Sequence, residues 1–588
     1  MNEFTISRSS PAGTNAGNSD DVSTARRVIS DCLVVAGILA VFGLVGWLLP
    51  SVGAPIGPDG MPSTVSTDLR NLPYYALRSV FRMAIALIFS LVFTFVYGLA
   101  AARSKRLGKV LIPLLDILQS VPILGFLSAT VAIWLALFPG SELGVEAASI
   151  FAIFTSQAWN MTFSFHRSLL SEPQELDEAV RNLRLTRWQR FWTLDVPNSM
   201  IPLIWNMMMS VGGGWFFLTA SEVISVGNRD YALPGIGSFV ATASAEEKPG
   251  KVACAIVTMV LIVVVIDVLV WKPLTAWAEK FRITNNASET PKKSAVLTVI
   301  RQSHIDKWIA TLLTPIKDGL DRVMRVFGRT GARWTAPAKR RRTGDLVFDV
   351  AVGAIVVFGA YQLLSSIAQK TGFDELGHAF GLGFITFLRV LLLTIVCSVI
   401  WVPIGAIVGM NPRISRFAEP LVQVLSSFPA NFIFPFITMW FVAWNIDINW
   451  GSILLMALGT QWYILFNVIA GASAIPNDLL EMTHNMGLST WMRWKKLILP
   501  SVFGSWVTGG ITAAGGAWNA SIVSEVVSYG RHTLTADGIG AYITQATAEN
   551  NGMKVLIGVV VMAVFVVGAN RLFWTPLENL ADTRFALN

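Results

Sequence analysis

Charge is what this 588-residue chain has least of: Asp, Glu, Lys and Arg together make up 14% of it, against about 25% in a soluble globular domain. A water-soluble fold of this length needs a charged exterior, so the deficit excludes one. Cysteine is scarce as well. Cys32, Cys254 and Cys397 are the only three, each inside an apolar run, which excludes a disulfide framework and a thiolate metal site. The five histidines have no metal-ligand spacing, no nucleophile stands beside a base, and no G-x-x-x-x-G-K-[ST] stretch occurs. Neither catalysis, nor a metal, nor a nucleotide site is expected in this chain. The formal net charge of +8 would point to nucleic acid in a soluble protein. Here the bias of Lys and Arg toward particular loops explains it, and no nucleic-acid partner is expected.

What the chain has instead is apolar runs of about twenty residues, the length that crosses a bilayer core of about 30 Å. Twelve spans are expected, at 32–49, 84–101, 110–138, 145–165, 200–223 and 252–271, then at 347–367, 384–408, 417–442, 453–469, 502–527 and 555–573. The fold class is therefore an all-α polytopic membrane protein. Arg26 and Arg27 precede the first run, which is long for a signal peptide and lacks a small-residue cleavage pattern before Pro50. It reads as an uncleaved span. Placing the basic loops inside (Arg26-Arg27, Lys105-Arg106, 166–197 and Lys339–Arg342) puts both termini in the cytoplasm, with six spans per half. The chain divides into a loose polar tail (1–30), a first unit (31–280), a basic linker (281–343) and a second unit (344–588). Within the linker, apolar residues recur at helical spacing across 305–327 among Lys and Arg. This suits a helix on an anionic membrane face or one packed on the protein's own loops.

The two units are copies. At an offset of 303, Glu178 meets Glu481, Trp188 meets Trp491, Pro197 meets Pro500, Trp215 meets Trp518, Glu222 meets Glu525, and Gly235-Ile236-Gly237 meets Gly538-Ile539-Gly540. Upstream the offset is 307: Arg82 meets Arg389, Gly98 meets Gly405, Pro113 meets Pro420 and Pro122 meets Pro429. A four-residue indel in a loop accounts for the change. An even number of spans per unit makes the repeat parallel, about an axis along the membrane normal.

Ionisable groups inside spans are costly and usually paired. Arg82 and Glu222 share a depth, as do Arg389 and Glu525, so each arginine is expected to pair with the glutamate of its own half. The rival reading has the arginines meeting an incoming anion. Gln119, Ser120 and Pro122, with Ser426, Ser427 and Pro429, are candidate pathway residues, because a proline at membrane depth frees a carbonyl that needs a partner. Asn206 is a candidate for the same pathway, with Ser210 beside it; the 212–214 glycine run, Gly515-Gly516, Gln157 and Gln461 are weaker candidates. Close helix packing is the alternative for the glycines.

The two loops, 178–197 and 481–500, resemble the EAA loop of ABC-importer permeases, and one chain carrying both resembles two such permeases fused. The resemblance implies a short helix that seats in a groove on a separate ATPase subunit. Glu178, Ala179, Arg184 and Leu185 of one loop, and Glu481, Gly487 and Leu488 of the other, would be the coupling residues. Arg184 stands where the pattern has glycine, and Met482-Thr483 where it has alanines. Arginine takes left-handed backbone angles less readily, so unequal docking is expected. The Trp-to-Glu spacing and G-I-G are similar to the branch that imports nitrate, sulfonate, taurine and related anions. This implies two ATPase copies carrying ATP and Mg, a periplasmic or lipid-anchored solute-binding protein, and a bacterial inner-membrane location. The alternatives are a fused permease for iron or thiamine, or an ion-driven carrier with two six-span halves.

Overall fold

The computed structural model describes residues 24–55, 62–120, 123–226, 229–281, 294–303, 338–370, 372–530 and 532–585, with isolated positions between 311 and 322. The first half runs α1 (Thr24–Val52), α2 (Leu72–Arg103), α3 (Lys105–Ser120), α4 (Ile123–Leu137), α5 (Leu143–Leu170), α6 (Gln174–Asn182), α7 (Arg187–Arg190) and α8 (Val196–Ser221). It continues through β1 (Val223–Val226), β2 (Arg229–Ala232), α9 (Ile236–Ala245), α10 (Pro249–Ile266) and α11 (Lys272–Ala278). After α12 (Ala295–Gln302), the second half repeats the order: α13 (Ala338–Lys370), α14 (Phe373–Met410), α15 (Pro412–Ser427), α16 (Phe434–Trp444), α17 (Ile448–Ser473), α18 (Asn477–Asn485), α19 (Thr490–Arg493) and α20 (Leu499–Ser524). Then come β3 (Val526–Tyr529), β4 (His532–Thr535), α21 (Ile539–Ala548), α22 (Gly552–Ala569) and α23 (Thr575–Arg584).

Among the described residues, nine helices are long and apolar enough to cross a membrane, three fewer than the runs suggest. The third crossing of the second half is the main difference. It is not one helix of 417–442 but two shorter ones, α15 with α16; in the first half α3 and α4 flank residues 121–122, which lie outside the described residues. The break in the second half falls at Phe428-Pro429, where proline withholds a donor and its predecessor turns extended. The third missing span, α5, has 28 residues. It buries Glu146, Ser149, Thr155, Gln157 and Thr162 and falls short in hydropathy. The sequence also hid two antiparallel hairpins, β1–β2 and β3–β4, registered Val223↔Ala232 and Val526↔Thr535. Strands of four residues leave too little alternation to read.

Each half has its own apolar core, one around Trp215, Phe239 and Met259, the other around Trp518, Ile543 and Met562. The first spans, α1 and α13, stand at the edge, with 6% and 0% of their apolar windows buried. Of the linker, α12 is described, packing on α1 and α11 with Leu297 buried. The amphipathic stretch read at 305–327 lies almost wholly outside the described residues. Four π-turns, Phe191–Asp195, Asp267–Trp271, Trp494–Ile498 and Asn570–Trp574, each end two residues before a proline (Pro197, Pro273, Pro500, Pro576). A proline cannot bond the carbonyl four residues back and crowds it, so the preceding turn widens.

Candidate functional site

Three features separate from the packing: a cavity between the halves, a buried ion cluster in each half, and the two loops at one end of the bundle. The cavity measures about 1750 Å³. Its first-half wall carries Gln119, Ser156, Asn160, Ser164, Asn206 and Ser210, and its second-half wall Tyr463, Asn467, Thr508, Thr512 and Asn519. Its charged lining groups, Asp116, Arg167, Arg571 and Glu578, belong to the loop end, where Arg167 and Glu578 pair across the halves at 3.2 Å. Deeper in, the polar lining is neutral. Asn206 donates to Ser164 Oγ (3.1 Å) and to the Pro202 carbonyl (2.9 Å). The Ser210 hydroxyl is buried with no partner among the described residues.

The predicted pathway residues divide. Gln119 and Asn206 line the cavity. Ser426 and Ser427 line a separate crevice of about 20 Å³ with Gly212 and Tyr463, and Pro429 is buried. Pro122 and the side chain of Ser120 lie outside the described residues. Gln157 is wholly buried, donating to Met83 Sδ (2.9 Å), while Gln461 accepts from the Trp401 indole (3.1 Å). The glycine run serves close approach. A Cβ on Gly212 would stand 3.0 Å from Ser427 Oγ, and one on Gly213 2.9 Å from the Tyr463 hydroxyl.

The ion clusters occupy the opposite end of each half. Arg82 reaches Glu222 at 2.7 Å, and Arg389 reaches Glu525 at 3.1 Å. The first cluster is larger than the sequence suggested. Glu146 takes a two-pronged contact from Arg82 (2.6 and 2.7 Å) and also pairs with Arg78. In the second half Asn449 stands in place of Glu146, receiving Arg389 at 2.6 Å, and Ile385 stands in place of Arg78. Both clusters are therefore neutral overall. Glu146 escaped notice because it opens α5 beside a loop, where a carboxylate usually meets water.

The G-I-G motif belongs to these clusters. Glu222 accepts from Ser79 Oγ (2.5 Å) and the Gly237 amide (2.6 Å), while Glu525 accepts from Thr386 Oγ1 (2.7 Å) and the Ala541 amide (3.0 Å). Each carboxylate thus caps a short helix at its positive end. A Cβ on Gly235 or Gly538 would lie 2.2 Å from that carboxylate, so only glycine admits it. With all four charged partners 7% exposed or less, neither arginine is open to the cavity.

In the loops, Glu178, Ala179, Arg184, Glu481 and Gly487 are exposed, and Leu185 and Leu488 half-buried. Although arginine takes left-handed angles less readily than glycine, Arg184 adopts them here: Arg184 has φ +50° and Gly487 φ +61°. Both close the same helix-ending motif, with Leu185 N bonding the Val180 carbonyl and Leu488 N that of Thr483. The loops differ instead in anchoring. Arg190 is held by Glu172 (2.9 Å), Asp177 (2.5 Å) and Asp195 (3.3 Å), and Asp195 also takes Arg103 (2.5 Å). The corresponding acids are absent from the second loop.

A duplicated bundle enclosing a cavity on its axis, with matched levers at one end, is the build of a membrane transport component. Residues 94–270 and 401–573 each match the binding-protein-dependent transport system inner membrane component family. The starts of the two ranges differ by 307 and the ends by 303, the offsets of the repeat. The chain belongs to that family; it is a multi-pass inner-membrane permease component, not an enzyme. Among its relatives is SsuC of Bacillus subtilis, whose name assigns it to aliphatic sulfonates transport. It is 24% identical over 216 residues, 36% of this chain and 75% of its own. The nitrate import permease protein NrtB of Synechococcus elongatus is 28% identical over 200 residues, 33% and 67% of the two chains. The bicarbonate transport system permease protein CmpB of Synechocystis is 27% identical over 173 residues, 29% and 56%. Each alignment is about as long as one unit of the repeat.

Proposed function

We propose that this chain forms the whole translocation pathway of an ATP-driven importer for a small anion, and that two separate ATPase subunits drive it through the loops 171–197 and 474–500. The observation that carries the reading is the axial cavity between two copies of one unit, with a levered loop at the same end of each. Its deep wall offers neutral donors, Ser210, Asn206, Tyr463 and Asn519. These hold an anion loosely enough to release it, whereas Arg78, Arg82 and Arg389 are occupied. The names of the relatives, for sulfonates, nitrate and bicarbonate, support an anionic solute.

In this reading the loops face the cytoplasm, as do both termini. Closure of the ATPase pair on ATP and Mg draws the loops together and opens the cavity toward a solute-binding protein on the opposite side; hydrolysis reverses the movement. The test is reconstitution of the chain with its ATPase and receptor in nanodiscs. ATP hydrolysis should rise when receptor loaded with nitrate or a sulfonate is added, and Ser210→Ala should weaken that response. Hydrolysis indifferent to loaded receptor would overturn the reading.

A further inference from the structure

The two loops keep one cation and differ in its counter-ions. Arg190 and Arg493 hold the same place, the last residue of a four-residue helix ahead of a π-turn. Three carboxylates surround Arg190. The positions of those carboxylates are Ile475, Leu480 and Ile498 in the second loop, and Ile475 and Ile498 are buried. Arg493 is nevertheless half-buried. Its Nε is closed off from solvent and has no acceptor among the described residues. A desolvated charged donor left unmatched is destabilising, so the place calls for a carboxylate that this loop does not provide.

The same loop exposes Met482, Met486 and Trp491, the last by 74%. Its first-loop counterpart, Trp188, is tied down against Phe191 at 6.2 Å between ring centroids. The charge balance differs too: 171–197 holds four basic and five acidic residues, and 474–500 three basic and two acidic. An exposed tryptophan and methionines on a loop that also holds an unmatched arginine have the chemistry of an interface centre.

We propose that Arg493 is a docking residue for an acidic side chain of the ATPase subunit that seats on the second loop, the partner supplying what the chain itself supplies to Arg190. The inference rests on the reading of 474–500 as an ATPase lever. The first loop is complete in the free permease, and the second is completed by its partner.

The test uses the full chain purified with its ATPase in nanodiscs, comparing wild type, Arg493→Gln and Arg493→Lys. ATPase retention is followed from about 0.1 to 1 M salt, over which the screening length falls from about 10 to 3 Å. Arg493→Gln should lower retention about tenfold at low salt, as for loss of a charged hydrogen bond, and flatten its salt dependence; Arg493→Lys should restore part of both. Unchanged retention at every salt would overturn the inference. So would a loss that appears only in nanodiscs with anionic lipid, since a headgroup would then be the counter-ion. Ser489→Cys, cross-linked to the ATPase in an otherwise wild-type chain, separates the two levels. No cross-link there refutes the lever reading itself, whereas a cross-link with unaltered Arg493→Gln binding refutes only the role of Arg493.

Discussion

The second half supplies its own control for the ion cluster of the first. Removing Glu146 alone leaves Arg82 with Glu222, and leaves Arg78 with the Ser51 and Tyr74 hydroxyls at 2.5 and 3.2 Å. That is one uncompensated positive charge among side chains 1% exposed. Breaking a buried pair in this way costs about 3–5 kcal/mol, so Glu146→Gln and Arg78→Ile should each destabilise the bundle by roughly that amount. The double variant Arg78→Ile/Glu146→Asn reproduces the set found around Arg389, namely one arginine, one glutamate and one carboxamide. Its charges balance, so it should recover most of the loss and melt closer to wild type than either single variant. The assay is thermal unfolding of detergent-solubilised protein, read as the monodisperse fraction after heating. A double variant no more stable than the worse single, or a harmless Glu146→Gln, would refute the charge-balance reasoning.

Arg184→Gly should stabilise the first loop by about 0.5–1 kcal/mol, because φ +50° strains any residue with a Cβ; slower hydrogen exchange across 174–190 would show it. Gly538→Ala should cost about 1–3 kcal/mol by overpacking, its Cβ falling 2.2 Å from a carboxylate fixed by Arg389 and Thr386. Gly515→Ala, with nothing within 4 Å, should be neutral in the same melting assay. Burial alone would raise the Asp177 carboxyl, but hydrogen bonding and charge from Arg190, then the charge of Arg181, hold it below its ordinary value. Its folded pKa being the lower one, its contribution is present above about pH 4 and fades as pH falls below that. Asp177→Asn should therefore lower stability at neutral pH and reduce the acid sensitivity of the first loop below about pH 4.

The duplication and the depth of the four charged groups could be read from residue order, because a repeat keeps its spacing and a span fixes height. The pairing of Arg82 with Glu222 and of Arg389 with Glu525 was legible for the same reason. Arg78 and Glu146 were not: Arg78 sits one turn from Arg82 without a counterpart in the second half, and Glu146 sits beside a loop. Pro429 marked the third crossing of the second half, but composition alone does not distinguish a kinked helix from two short ones. That Arg184 takes the left-handed turn could not be read from residue type, because propensity is weak beside the helix-ending hydrogen bonds that fix its angles. The anchoring of the two loops could not be read at all, since it depends on which side chains converge from Arg103, Glu172 and Asp195 across separate elements.

Joining the halves in one polypeptide alters what substitution can achieve. In a pair of identical subunits every change strikes twice, once on each side of the axis, and an unpaired cation on one lever would be an unpaired cation on both. A tandem chain escapes that doubling. It can keep one arm self-sufficient and leave the other dependent on a visitor, so assembly gains an order that a symmetric dimer cannot encode.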